Sequence, residues 1–364
     1  MKRCIILSVI LAAATLASAD TPATRETQPA TSAPATREAP PATTAAAPAS
    51  PDKLAITDGQ VTLADQTLHY QATAGLMPLK DDAGKLKANL FYIAYVKTDA
   101  AAPAAKRPLM FLFNGGPGAA AVWLHLGAAG PKRLATAEDG APLSGPARLV
   151  DNPQTWLADA DLVFIDPVST GYSRAATPEQ AKEFHGFSED VAAVAEFIRL
   201  YVTKNQRWDS PKFLAGESYG TTRAAGLADH LQEHVGMSVN GVVLVSTVLN
   251  FAVLSPGAGN DLPYSLYLPS YAAAAWYHKK LPADLQADLA KTLKEVETFA
   301  ENDYTVALAK GDRLPEADRA ALIEKLARYT GLPKDYIARV NLRIEPARFV
   351  TFLPLVLTAP DNVI

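Results

Sequence analysis

The sequence predicts an α/β fold with a mostly parallel central sheet and helices on both faces. Short runs rich in Val, Leu and Phe recur at Pro108 to Phe113, Leu162 to Ile165, Phe213 to Ala215 and Val242 to Val245. Runs that are apolar throughout belong to strands buried on both faces, as in parallel sheets covered by helices. Helix-compatible stretches lie between them, Ser188 to Val202 with Ser188 as candidate N-cap, and Thr221 to Glu233. The third observation is Gly216-Glu217-Ser218-Tyr219-Gly220, entered from an apolar run and left by a helix. That strand, tight turn and helix context lifts a serine hydroxyl clear of the backbone.

The elements follow in chain order. Lys2 and Arg3, an apolar stretch from Ile5 to Leu16, and the small residues Ala17-Ser18-Ala19 make residues 1–19 a signal peptide. The apolar run is too short to anchor the chain in a bilayer, so the expected destination is periplasmic or extracellular. Cys4, the one cysteine, would leave with the signal, and disulfides then play no part in the mature fold. Residues 20–53 are dominated by Ala, Pro and Thr and read as a disordered linker, because they hold too little apolar surface to offset ordering entropy. From Leu54 to Lys97 the pattern is β-like: Val61 to Leu63 and Leu68 to Tyr70 flank a turn, and Leu90 to Val96 is a further strand, pairing antiparallel at one sheet edge. Residues 54–255 are assigned to the α/β core and 256–364 to a helical cap insertion. Within the cap, Pro256 to Pro269 is turn-rich, and Pro282 to Glu301 and Pro315 to Tyr329 are helical.

Composition excludes several classes. The formal net charge is −4 and no basic stripe interleaves with aromatics, so nucleic acid is not an expected partner. His230-Leu231-Gln232-Glu233-His234 formally matches a metallopeptidase pattern. That helix is already committed to the serine turn at its start, and the pair reads better as solvated surface. No metal and no cofactor are expected.

The serine turn has a partner far upstream. Asn114-Gly115-Gly116-Pro117-Gly118 follows directly on a strand, and its glycines leave backbone N–H groups uncovered for a developing oxyanion. In hydrolases built this way one donor comes from the early loop and one from the residue after the nucleophile, here Gly116 and Tyr219. A third block runs from Asn152-Pro153-Gln154-Thr155-Trp156 through Asp161 to Asp166, then Pro167-Val168-Ser169-Thr170-Gly171-Tyr172-Ser173.

Together the three blocks resemble the serine carboxypeptidases of the S10 peptidase family, within the α/β-hydrolase fold. The resemblance covers roughly residues 85 to 349, and Asp261-Leu262-Pro263-Tyr264 to His278 is similar to its bacterial, cysteine-free branch. It implies that Ser218 is the nucleophile forming an acyl-enzyme. It implies also that the Gly116 and Tyr219 backbones hold the oxyanion, and that Asn114, Gly115 and Glu217 bind the free C-terminal carboxylate of a peptide. A protonated Glu217 donates to such a carboxylate whereas an ionised one repels it, so acidic conditions are preferred. Leu112, Ala119, Ala120 and Ser169 depart from the family pattern and bear on pocket shape.

In the family the triad acid and histidine follow the helical insertion, on loops after two more strands. This sequence reaches Ile364 without them and reads as truncated or frame-shifted near residue 350, with its C-terminal strands missing. His278 is not read as the base. Expected partners are a peptide with a free C-terminal carboxylate and, after signal cleavage, no membrane; oligomeric state is unassigned. Two readings stay open: an exported carboxypeptidase-like hydrolase, and a non-catalytic remnant. The same scaffold also serves esterases, acyltransferases and aminopeptidases.

Overall fold

Residues 54–100, 106–137, 140 and 143–351 are described by a computed structural model. The expected signal peptide and linker, and most of the terminal apolar run, lie outside them. Three long strands open the fold: β1 (Ala55–Thr62), β2 (Thr67–Lys80) and β3 (Leu86–Lys97), paired as an antiparallel meander. They extend well beyond the runs expected from sequence. Polar ends such as Thr57 and Gln71 pair through backbone hydrogen bonds that no hydrophobic pattern announces.

Four short strands then form the parallel half: β4 (Leu109–Phe113), β7 (Asp161–Ile165), β9 (Lys212–Glu217) and β10 (Gly241–Val245). The sheet order is β1-β2-β3-β7-β4-β9-β10, and the two-residue β8 (Arg174–Ala175) pairs with β3. Parallel pairing joins β7, β4, β9 and β10, whereas β3 meets β7 antiparallel. A separate ribbon, β5 (Lys132–Leu134) with β6 (Leu149–Asp151), had no hydrophobic signature in the sequence.

The parallel strands are apolar throughout because both faces are buried. Phe111, Phe113, Val163, Ile165 and Leu214 point to one face, and Leu112, Leu162, Phe164 and Ala215 to the other, following the two-residue period of a strand. Helix α1 (Val122–Leu124), continued by a π-helical turn at His125–Ala129, helps to cover the second face together with a 3-10 turn at Trp156–Ala158. The first face is covered by α2 (Phe187–Lys204) and α3 (Tyr219–Val235). Ser188 is not the N-cap of α2. Gly186 holds that position, and Phe187 begins the helix.

The described residues fall into two compact units, 54–249 and 250–351. The second is all helical: α4 (Leu262–Tyr277), α5 (Ala283–Gln286), α6 (Leu289–Phe299), α7 (Thr305–Lys310), α8 (Glu316–Thr330) and α9 (Lys334–Arg339). Here the turn-rich expectation for Pro256 to Pro269 is corrected, because α4 runs through Pro269. An interior proline costs a helix about 3 kcal/mol. Burial of Tyr264, Leu268, Tyr271, Ala272 and Ala275, at helical spacing along one stripe, offsets it. Tyr271 donates to the Ile344 carbonyl at 3.2 Å, and Arg343 grips Asp261 with two bonds of 2.7 and 2.6 Å.

Candidate active site

The C-terminal ends of β7, β4 and β9 converge, and three loops leave them. At β9 the chain turns directly into α3, with no residue between strand and helix except Ser218. Ser218 has φ 56° and ψ −124°, a conformation that costs an L-residue about 1–3 kcal/mol and survives only where surroundings enforce it. They do so here: the Ser218 N–H donates to Val245 O at 2.9 Å, while its carbonyl accepts the Thr221 N–H at 2.9 Å and hydroxyl at 2.7 Å. Its side chain makes no capping bond and is half-buried. The expected helix start at Thr221 is therefore corrected to Tyr219.

Glycine is required where this turn packs. A Cβ at Gly216 would lie 2.0 Å from the Gly220 carbonyl oxygen, and one at Gly220 would lie 2.9 Å from Phe113 O. The loop after β4 sits against the turn with the same closeness. A Cβ at Gly115 would meet the Tyr219 nitrogen at 2.4 Å and Glu217 O at 2.7 Å. Gly116 has φ 100°. Gly115→Ala is thus expected to push the two loops apart and to destabilise the fold by about 1–3 kcal/mol, as overpacking does. Urea unfolding checks it.

Asn114, Gly115, Gly116, Glu217, Ser218 and Tyr219 are brought together by this packing. Asn114 is fully buried: its Nδ2 donates to Glu217 Oε2 at 3.0 Å, and its Oδ1 accepts the Leu124 N–H at 3.1 Å. Its amide thus stands behind Glu217, which is half-buried, rather than on the surface. Leu112 is fully buried in the sheet.

Other residues that sequence reasoning left without a role hold the loops. Asp166 accepts the Ala121 N–H at 2.9 Å, bracing the β4 loop, and the Tyr172 N–H at 3.4 Å. Burial pushes its carboxyl up, against the lowering effect of those two N–H groups. Asn152 donates to the Ala128 and Gly130 carbonyls at 2.7 and 2.8 Å, and Thr155 to Ala129 at 2.8 Å, so the third sequence block clasps the π-helical turn. Beside the serine turn lies a cavity of about 330 Å³ lined by Pro117, Val168, Phe184, Tyr219 and Arg223, among others. On its rim Ser169, at φ 69°, pairs with His185 at 3.1 Å.

His125, within the turn that follows the β4 loop, bonds to the Tyr95 hydroxyl at 2.7 Å and packs on Phe164. Burial lowers its pKa from 6.5 to about 4. The unfolded chain therefore takes up this proton first as pH falls. The stability from neutral His125 is complete above about pH 6.5 and is lost towards about pH 4. The loss is up to about 3 kcal/mol by linkage. His125→Gln is expected to flatten that part of the pH–stability curve, read from urea unfolding at several pH values. Among the described residues no histidine hydrogen-bonds to Ser218, and no group of three His, Cys, Asp or Glu could hold a metal. His230 and His234 stack on each other, with ring centroids 4.4 Å apart.

The family model for serine carboxypeptidases, S10, matches residues 63–317. The chain belongs to the serine carboxypeptidase family. With its sheet of parallel and antiparallel strands and its strand–serine–helix turn, this S10 member has the α/β-hydrolase fold. Serine carboxypeptidase-like 37 of Arabidopsis thaliana is 23% identical over 195 residues, covering 51% of this chain and 37% of that protein. A pheromone-processing carboxypeptidase of Cryptococcus gattii is 32% identical over 168 residues, covering 43% of this chain and 23% of the relative. The chain thus spans well under half the length of these relatives. Among solved structures, a prohormone-processing carboxypeptidase from Saccharomyces cerevisiae aligns with a TM-score of 0.44 and 20% identity. That alignment covers 72% of this chain and 53% of the yeast chain. No helix among the described residues is long and apolar enough to cross a membrane.

Proposed function

We propose that this family member is an exported serine carboxypeptidase that releases C-terminal residues from peptides through an acyl-enzyme on Ser218. The observation that carries this reading is the strained Ser218, held at φ 56° against the glycine loop of Gly115 and Gly116. The Ser218 hydroxyl adds to the scissile carbonyl. The Gly116 and Tyr219 N–H groups receive the oxyanion. The amine leaves carrying the proton lost by the hydroxyl, the acyl group stays on Ser218 as an ester, and water then hydrolyses that ester to a free acid and the serine hydroxyl. Glu217 and the Gly115 backbone meet the terminal carboxylate of the peptide, with Asn114 holding Glu217 from behind. The base is assigned to none of the described histidines. Lys2, Arg3 and the run to Ala17-Ser18-Ala19 support export, and the mature protein is expected to begin at Asp20.

The deciding experiment pairs a fluorophosphonate probe with an N-blocked dipeptide. Labelling of Ser218 together with release of the C-terminal amino acid is the expected result. Turnover of esters alone, or only of peptides with a free N-terminus, rejects the carboxypeptidase reading. Binding of the peptide without labelling or release assigns instead a protein that recognises C-termini and does not cleave them.

A further inference from the structure

Arg223 is 1% exposed, and neither the serine turn nor the chemistry proposed above uses it. Its Nε donates to Asp190 Oδ2 at 2.8 Å, and its Nη1 to the Asn114 main-chain carbonyl at 2.7 Å. The guanidinium also lies over the rings of Phe113, at 5.3 Å, and Tyr219, at 5.0 Å. The Tyr219 hydroxyl completes the cluster by donating to the same Asp190 oxygen at 3.1 Å. One buried cation therefore touches the last residue of β4, the first residue of its loop, and the residue after Ser218. An apolar side chain of similar volume would fill this space without the cost of burying a charge. What a guanidinium alone supplies is a rigid fork of donors aimed in fixed directions.

One donor of the fork is anchored on Asp190 and the other reaches Asn114. Its carbonyl is held by Arg223, its Oδ1 by the Leu124 N–H, and its Nδ2 is committed to Glu217 Oε2. With its main chain pinned, the amide plane has one orientation, and so has the carboxyl it holds. We propose that Arg223 is a positioning residue that sets the aim of Glu217 through Asn114, and so the preference for a free C-terminal carboxylate. The inference rests on the carboxypeptidase reading. Although Arg223 borders the cavity beside the serine turn, it is 1% exposed, and it acts at one remove, through the Asn114 main-chain carbonyl and side-chain amide.

The test compares binding of an N-acyl amino acid with binding of its carboxamide, by calorimetry, in the full protein and in Arg223→Lys. Lysine keeps the buried positive charge beside Asp190 but lacks the fork that also reaches Asn114. The protein as it stands is expected to prefer the acid. In Arg223→Lys that preference is expected to fall about tenfold, the value of one hydrogen bond to a charged group. A merely structural role would reduce the fraction of binding-competent protein and leave the acid-to-amide ratio untouched. Asp190→Asn, which loosens the Nε anchor while keeping Arg223, serves as second variant, with a fall of several-fold expected. A folded variant of either kind with an unchanged ratio overturns the role of Arg223 and leaves the carboxypeptidase reading standing. No preference for acid over amide in the unaltered protein overturns both.

Discussion

Ser218→Ala is expected to abolish fluorophosphonate labelling and to reduce peptide turnover on the order of a millionfold, as removal of the nucleophile does in serine hydrolases. The thermal midpoint should hardly move. The Ser218 hydroxyl caps no backbone group, and the bonds that hold the turn use the main chain of Ser218, its N–H donating to Val245 O and its carbonyl accepting from the Thr221 N–H and hydroxyl. Alanine keeps those bonds and adopts the same strained φ at a similar cost. Catalysis and folding therefore separate at this residue: activity disappears while the unfolding transition stays within about 0.5 kcal/mol, the usual range for a change away from packing features. A Ser218→Ala protein that still released C-terminal residues at more than a thousandth of the original rate would place the nucleophile elsewhere. Retention of peptide binding in the same variant is expected too, since Glu217 and Gly115 are untouched.

Legibility in the sequence followed the range of the interactions. The serine turn could be read because its determinants are adjacent: an apolar strand, a glycine, a serine, a second glycine and a helix. The glycine loop could be read because it too is contiguous. Arg223 could not. Its partners Asp190 and Asn114 lie 33 and 109 positions away in sequence, and only the fold brings the three together. A faint signal existed in an arginine placed on the strand-facing side of a helix whose neighbours there, Ala224 and Leu227, are fully buried. The long meander was under-read for a different reason. Polar residues such as Thr57, Gln60 and Gln71 sit on strands stabilised by ladder hydrogen bonds, so hydrophobic alternation stops short of the true ends. Pro269 misled in the opposite sense, because a proline read locally as a breaker is overridden by the buried stripe of α4.

The largest expected effect on stability lies at the opposite end of the sheet. Asp161 opens β7, is fully buried, and accepts from Arg107 Nε at 2.9 Å, Arg207 Nη1 at 2.8 Å and the Lys97 N–H at 3.0 Å. The two arginines are locked further: Arg207 donates to Arg107 O at 2.9 Å and to Ser210 Oγ at 2.7 Å, and Arg107 to the Leu157 carbonyl. One carboxylate thus ties together the end of β3 and the entries to β4, β7 and β9. Removing it strands two cations that are 11% and 4% exposed. The attraction that offset their desolvation is gone while the desolvation persists, so Asp161→Ala should cost about 3–5 kcal/mol. That is a large share of the 5–15 kcal/mol that holds a typical domain together. Asp161→Asn keeps one side-chain oxygen and the shape, so its cost should be smaller, because that oxygen can still accept the Lys97 N–H. Urea unfolding followed by far-ultraviolet dichroism measures both, with a lower midpoint and an unchanged slope expected. Since the cluster sits at the N-terminal ends of the parallel strands and the serine turn at the C-terminal ends, the folded fraction should keep its kcat. A loss under 1 kcal/mol for Asp161→Ala would mean that water or backbone groups satisfy the arginines as well as the carboxylate does.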